Sequence, residues 1–197
     1  MDFHENEARS KGKRLIAGID EAGRGPLAGP VAAAAVIFNR PLPLDLGIRD
    51  SKTLSPAKRA SLILDIYLNA ISVGVGLVWP AEIDAINIHR ASLLAMERAV
   101  AALSVKPDAL LIDGSFGIAS AIDQKAIVSG DALSVSIAAA SIIAKTARDR
   151  IMEAYHRIYP VYNFSSHKGY PTREHLSALS AFGPSPIHRR TFRGVVR

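Results

Sequence analysis

Four acids stand where the residue pattern places strand ends and helix starts. Asp20 and Glu21 close a short apolar run that begins at Leu15. Asp113 follows the compact run Ala109 to Ile112, and Asp131 follows Gly130 at the head of a long helical stretch. Such positions on one edge of a sheet can converge, and ligand sites in α/β sheets favour those edges. Clustered carboxylates repel one another unless a cation neutralises them. An all-oxygen set without His or Cys suits Mg²⁺ or Mn²⁺. Two such ions roughly 4 Å apart can activate a water and stabilise the leaving oxygen of a phosphodiester. One geometric condition applies. Successive strand residues face opposite ways, so Asp20 and Glu21 share a site only if the strand ends or bends there. Gly23 and Gly25 just beyond make a bend plausible. Taken singly, Asp113-Gly114 is also an ordinary turn pair, and Asp131 an ordinary helix N-cap.

The segment Gly23-Arg24-Gly25-Pro26-Leu27-Ala28 matches the dinucleotide pattern G-x-G-x-x-G/A after a strand. A dinucleotide turn must open a helix facing the pyrophosphate. Here Pro26 and Pro30 interrupt the segment, the run ending Val36-Ile37-Phe38 reads as strand, and two acids precede the loop. The alternative is a loop whose glycines let backbone approach a ligand closely, with Arg24 contacting phosphate or sugar. A plain hairpin turn is the simpler possibility. There is no Walker motif, no G-x-S-x-G elbow and no H-E-x-x-H spacing.

The elements that must hold these residues can be read coarsely. Val31 to Phe38 and Ile71 to Trp79 pattern as strands, and Asn39 to Ser55 as loop. Pro56 suits the first position of a helix capped by Ser55 and running to about Asn69. Pro80 to Leu103 is helical, with Leu93, Leu94, Met96, Ala99, Val100 and Leu103 on an apolar face. Asp123 to Val128 is a strand. Asp131 to Tyr159 is a long helical stretch with room for a break, and Pro171 to Phe182 a last short one with Thr172 as candidate cap. The order predicts an α/β domain with a mixed sheet. The expected organisation is a polar tail over 1–14, a catalytic domain over 15–160, and a C-terminal helical segment with a basic tail over 161–197.

Lys and Arg number 24 against 18 Asp and Glu, a net charge of +6. That balance suits a polyanionic partner such as nucleic acid. With no cysteine, disulfides, thiolate-bound zinc and a thiol nucleophile are excluded. The longest apolar stretches fall short of the roughly 20 residues that span a bilayer. A cytoplasmic monomer with no membrane contact is the expectation.

The motifs, taken in order, resemble the bacterial ribonuclease HII family. The run Gly18-Ile19-Asp20-Glu21-Ala22-Gly23-Arg24-Gly25-Pro26-Leu27-Ala28-Gly29-Pro30-Val31 is similar to its opening signature. Asp50 to Ser55, Ile112-Asp113-Gly114, Gly130-Asp131 with Ser136 to Lys145 and Arg148-Asp149, His167-Lys168-Gly169-Tyr170 and Pro186 to Arg189 resemble the later blocks. The resemblance spans about Leu15 to Phe192. It implies a ribonuclease H-like fold, a five-stranded mixed sheet flanked by helices with a small C-terminal helical extension. It implies cleavage of RNA in RNA–DNA hybrids and on the 5′ side of a single ribonucleotide in duplex DNA, leaving 3′-hydroxyl and 5′-phosphate ends. Asp20, Glu21, Asp113 and Asp131 match the family's metal-binding acids. Gly23, Arg24 and Gly25 match its ribose-sensing loop, and Tyr170 its junction tyrosine. A 2′-hydroxyl is what separates RNA from DNA at a given site.

Two departures stand out: Ser129, where lysine is common, and Pro171, where glycine is usual. Lys52, Lys145, His167, Lys168 and Arg189 are candidates for backbone phosphate contacts, which position without specifying sequence. The alternatives are an inert binder of hybrid duplexes on the same fold and a sheet nuclease acting on DNA alone.

Overall fold

A computed structural model of the chain describes residues 2–38 and 56–195. Five strands form one mixed sheet: β1 (Ile16–Ala22), β2 (Val31–Phe38), β3 (Ala70–Val78), β4 (Ala109–Asp113) and β5 (Asp123–Ile127). Their order is β3-β2-β1-β4-β5. β2 pairs antiparallel with both β1 and β3, whereas β1, β4 and β5 run parallel. The predicted mixed α/β sheet is therefore present, with β1 central.

The helices are α1 (Phe3–Ser10), α2 (Pro56–Asn69), α3 (Pro80–Ile86), α4 (Ile88–Ala101), α5 (Gly130–Leu133), α6 (Val135–Ile158), α7 (Phe164–His167) and α8 (Arg173–Phe182). No helix among the described residues is long and apolar enough to cross a membrane.

All eight residues of β2 are buried, and four in a row are alanine. Both faces of this strand are covered. Ala33, Ala35 and Ile37 join Ala17 and Ile19 against Ala91, Ala95 and Ala99 of α4. Ala34, Val36 and Phe38 face Ala138 to Ala144 of α6 and Leu62 and Ile66 of α2. Small side chains let both helices approach the sheet closely. Gly76 allows the same on β3, since a Cβ there would collide with the Ala95 carbonyl.

Two departures from the sequence pattern, and one break that it allowed for, have local causes. The helical stretch from Pro80 is two helices. Asn87 breaks it with φ 68° and then caps α4 by accepting from Arg90 N at 3.1 Å. The long helix breaks at Ser134, whose extended backbone separates α5 from α6 and whose hydroxyl accepts from Ile137 N. The first fourteen residues, expected as a polar tail, contain α1. Its Ala8 packs on the cluster Ile16, Leu111, Ile127 and Ile137, and Glu5 is only 3% exposed.

The C-terminal helices do not stand apart from the sheet's loops. Met152, Tyr162, Phe164, Ala178, Leu179, Ile187 and Val195 share one core with Leu27 and Ala28 from the β1–β2 connection.

Candidate active site

The parallel β1–β4 ladder ends at Ile19 and Ile112. Asp20 and Asp113 are the next residues on each strand, so the ladder delivers them side by side. β1 nevertheless continues against β2 as far as Ala22, one residue beyond Glu21. The bend that Asp20 and Glu21 seemed to require is replaced by an open flank, because β4 stops where the acids begin.

Gly18 has no room for a side chain, since a Cβ there would meet Ser136 and Ile137 at the start of α6. Strand alternation turns Asp20 toward the same helix. Asp20 is 6% exposed. Its Oδ1 accepts from Glu21 N at 2.7 Å, and the Ser141 hydroxyl of α6 donates to its carboxylate. Burial raises the carboxyl to about 8 despite those bonds, with Glu21 and Asp113 adding like charge. Glu21 is also raised, chiefly by burial, although Arg24 opposes the shift. Arg24 Nη1 lies 3.2 Å from Glu21 Oε1.

Asp113 Oδ1 accepts from Gly130 N at 2.7 Å. That bond ties the end of β4 to the turn carrying Asp131 in the first helical turn of α5. Gly130 sits in a tight place, since a Cβ would lie 2.7 Å from Ile137 Cδ1 and 3.2 Å from Asp113 Oδ1 and both side chains would have to give way. Ser129, the first family departure, is exposed and left-handed at φ 56°.

The sheet edge thus assembles Asp20, Glu21 and Asp113 within electrostatic reach of one another, with Asp131 one hydrogen-bonded turn away. As the side chains stand, no three His, Asp or Glu among the described residues converge closely enough to ligate one ion. The Glu21 carboxylate is engaged by Arg24 and one Asp113 oxygen by Gly130, so convergence needs side-chain rotation. The donor set fits a hard divalent cation. It is all carboxylate oxygen, and two of its members are held above their ordinary carboxyl values by burial and mutual repulsion.

Beside the acids, residues 23–30 are fixed by two buried arginines. Arg189 donates to the carbonyls of Gly23 (2.6 Å), Arg24 (2.9 Å) and Gly29 (3.0 Å). Arg148 of α6 donates to those of Pro30 and Ala28, both at 3.0 Å. Gly23 has φ 96°, and any side chain there would collide with Arg148. The expectation that Arg189 contacts phosphate is overturned, because it is fully buried and committed to the loop. Arg148 had no assigned role in the sequence. The available signal was its spacing, since Ser141, Ala144, Arg148 and Met152 share one face of α6.

Tyr170 is brought to the same loop. Its Cε1 would lie 3.6 Å from a Cβ on Gly25, its ring is 6.0 Å from the Arg148 guanidinium, and it is 44% exposed. Leu27 N donates to Gly169 O at 2.8 Å, joining the two segments. Three buried histidines brace this segment, and their partners define their tautomers. His175 Nδ1 donates to Tyr170 O at 2.9 Å, so its Nε2 accepts from His188 Nε2, also at 2.9 Å. His188 Nδ1 in turn accepts from Ser185 N. His167 Nε2 donates to Tyr162 O, and its Nδ1 accepts from Gly169 N. Burial lowers both His175 and His188, the latter to about 4. His167, expected at phosphate, is therefore buried with both nitrogens in use. Pro171 sits within a short turn in which Thr172 N donates to Tyr170 O.

Lys145 is paired with Asp149 at 2.6 Å, and Lys168 with Glu153 at 3.0 Å. Lys52 and its block, Asp50 to Ser55, lie outside the described residues.

Known proteins share this sequence and fold. A family model described as Ribonuclease HII matches residues 17–195. The ribonuclease HII of Syntrophus aciditrophicus is 56% identical over 197 residues, covering 98% of this chain and 91% of that protein. That of Bacillus subtilis is 51% identical over 192 residues, covering 98% and 74%. The crystal structure of ribonuclease H2 from Pyrococcus horikoshii OT3 superposes with a TM-score of 0.82 at 29% identity, covering 92% of this chain and 95% of that one. A mixed sheet with acids at the ends of its parallel strands thus defines a ribonuclease H endonuclease. Within that class, the chain belongs to the ribonuclease HII family.

Proposed function

We propose that this endonuclease cuts RNA in RNA–DNA hybrids and on the 5′ side of single ribonucleotides embedded in duplex DNA, leaving 3′-hydroxyl and 5′-phosphate ends. The observation that carries the reading is the contact between two sites. The carboxylate edge of β1 and β4 adjoins a rigid loop, and an exposed tyrosine stands over Gly25.

The loop's mounting indicates how it meets a sugar. Arg189 draws the carbonyls of Gly23 and Arg24 inward. In a trans peptide the N–H points opposite to the C=O, and no peptide bond in the described chain is cis. The N–H groups of Arg24 and Gly25 therefore point away from Arg189. Two such donors, with Tyr170 against the sugar face, suit a ribose 2′-hydroxyl and its adjoining phosphate. Gly25 keeps the approach open because it carries no Cβ.

Asp20, Glu21, Asp113 and Asp131 would hold the divalent metal, for which Mg²⁺ and Mn²⁺ are the candidates. When bound, the metal supplies charge stabilisation at the phosphodiester and a more acidic water. The protein's own part is positioning. Ser141 orients Asp20, Gly130 orients Asp113, and Arg24 holds Glu21 at the loop side.

The deciding assay offers duplexes with one embedded ribonucleotide, with an RNA strand, and with DNA only, in Mg²⁺ and in Mn²⁺. Cleavage of the first two alone is expected. Equal cutting of the all-DNA duplex would refute the role given to the loop.

A further inference from the structure

Glu5 is a buried acid that the mechanism above does not use. It belongs to α1, yet it reaches the α5–α6 joint 129 residues later. One oxygen, Oε1, takes three donors: Ser134 Oγ at 2.5 Å, Ser136 Oγ at 2.7 Å and Ser136 N at 3.1 Å. The other, Oε2, is buried without a partner. Asp2 forms a β-bridge with Ser134 at the same place.

The donors are informative. Ser136 N is one of the first backbone N–H groups of α6, which lack intrahelical acceptors. Ser134 gives its proton to Glu5 and accepts from Ile137 N. Glu5 therefore completes, from another helix, the cap that Ser134 begins, and an anion there is favoured by the helix dipole.

From this cap a continuous path leads to the acids. Ser134 N donates to Gly130 O at 2.8 Å, closing α5. Gly130 N donates to Asp113 Oδ1 at 2.7 Å. Asp131 lies inside that closed turn, between Gly130 and Ser134. A shift at the joint moves both halves of the path, whereas the backbone at Asp20 and Glu21 is held by the β1–β2 ladder.

We propose that Glu5 is a positioning residue for the Asp113–Asp131 half of the carboxylate site, acting through Ser134 and Gly130. The proposal rests on the metal-site reading above.

The test uses the full chain freed of metal, with Mn²⁺ binding followed by the electron paramagnetic resonance of free Mn²⁺. Cleavage of a duplex with one embedded ribonucleotide is measured alongside. Glu5→Ala is expected to weaken Mn²⁺ binding and to lower kcat by about tenfold, as losses around metal ligands do, with KM for the duplex unchanged. Glu5→Gln keeps an oxygen at the Oε1 position and should restore both within about twofold. Ala8→Gly loosens the same helix while keeping Glu5 and the groups it bonds, so it should lower Tm and leave both readouts alone. Wild-type Mn²⁺ affinity and kcat in folded Glu5→Ala would overturn the proposal. So would equal losses in Ala8→Gly at matched Tm. If Glu5→Ala does not fold, Ser134→Ala carries the test, and unchanged Mn²⁺ affinity there overturns it. A wild-type chain that neither binds Mn²⁺ nor cuts would remove the metal-site reading itself, and this proposal with it.

Discussion

The carboxylate edge and the loop beside it are built by opposite rules. At the edge, Asp20 is buried and Glu21 half-buried near Asp113, and both are held above their ordinary carboxyl values. In the loop, five backbone carbonyls are each matched by a buried arginine donor. The histidines behind Tyr170 leave no ring nitrogen unused. A region that must capture a cation is left electrostatically unsatisfied. A region that must hold a shape is satisfied completely.

Breaking the edge should therefore cost activity and spare the fold. Asp113→Asn or Asp20→Asn is expected to lower cleavage by at least about a thousandfold, as loss of metal-assisted charge stabilisation does. Asp20→Asn should also raise stability, because it removes a carboxyl whose burial is unfavourable. A gain of about 2 kcal/mol, or roughly 4–8 °C in Tm, is expected in metal-free protein at pH 8. A lower Tm there would show that the edge is not under strain.

Breaking the loop's mounting should do the reverse. Arg189→Met strands three buried carbonyls, and denaturation should show a loss of about 3 kcal/mol. Discrimination between ribose and deoxyribose should weaken with it.

Gly25→Ala separates the two effects. The new methyl meets Tyr170 at ordinary contact distance, so stability should change by less than about 1 kcal/mol. Selectivity for an embedded ribonucleotide should nevertheless fall by about tenfold, since the methyl sits where the sugar must approach. Unchanged selectivity would move the ribose sensor elsewhere.

The histidines give the loop support a pH signature. His188 titrates near 6.5 when unfolded and about 4 when folded, so the unfolded chain takes up its proton first as pH falls. Stability is complete above 6.5 and declines between 6.5 and 4. His188→Gln should flatten that decline by about 1–2 kcal/mol between pH 7 and pH 5. Thermal melts across the window measure it.

The smallest effect is expected at Lys145→Ala and Lys168→Ala. Their ion pairs are surface pairs worth less than about 1 kcal/mol. Their loss should show mainly as a shallower salt dependence of duplex binding, if they also meet phosphate.

The sheet was largely readable from the sequence because its signals are local. β2 runs from Val31 to Phe38 as the apolar pattern indicates, and Thr172 caps α8 as expected. The four acids were readable by type and position at element ends. The loop's support was not, because it is made by residues distant in sequence. Arg189 reaches Gly23 across 166 positions, and an arginine on a basic tail looks like a surface charge until its partners are known. The helix over Phe3–Ser10 was missed because its composition is polar and its stability comes from Ala8 and Glu5 docking on later elements. Propensity alone does not report such docking.

The Glu5 clamp has a consequence for the order in which the molecule is made. Its partner Ser134 follows 129 residues later, and the arginine that fixes the glycine loop comes later still. Synthesis runs from the N-terminus, so α1 must wait, undocked, until most of the chain exists. Cutting competence then arrives late, after both early and late segments have closed on the middle.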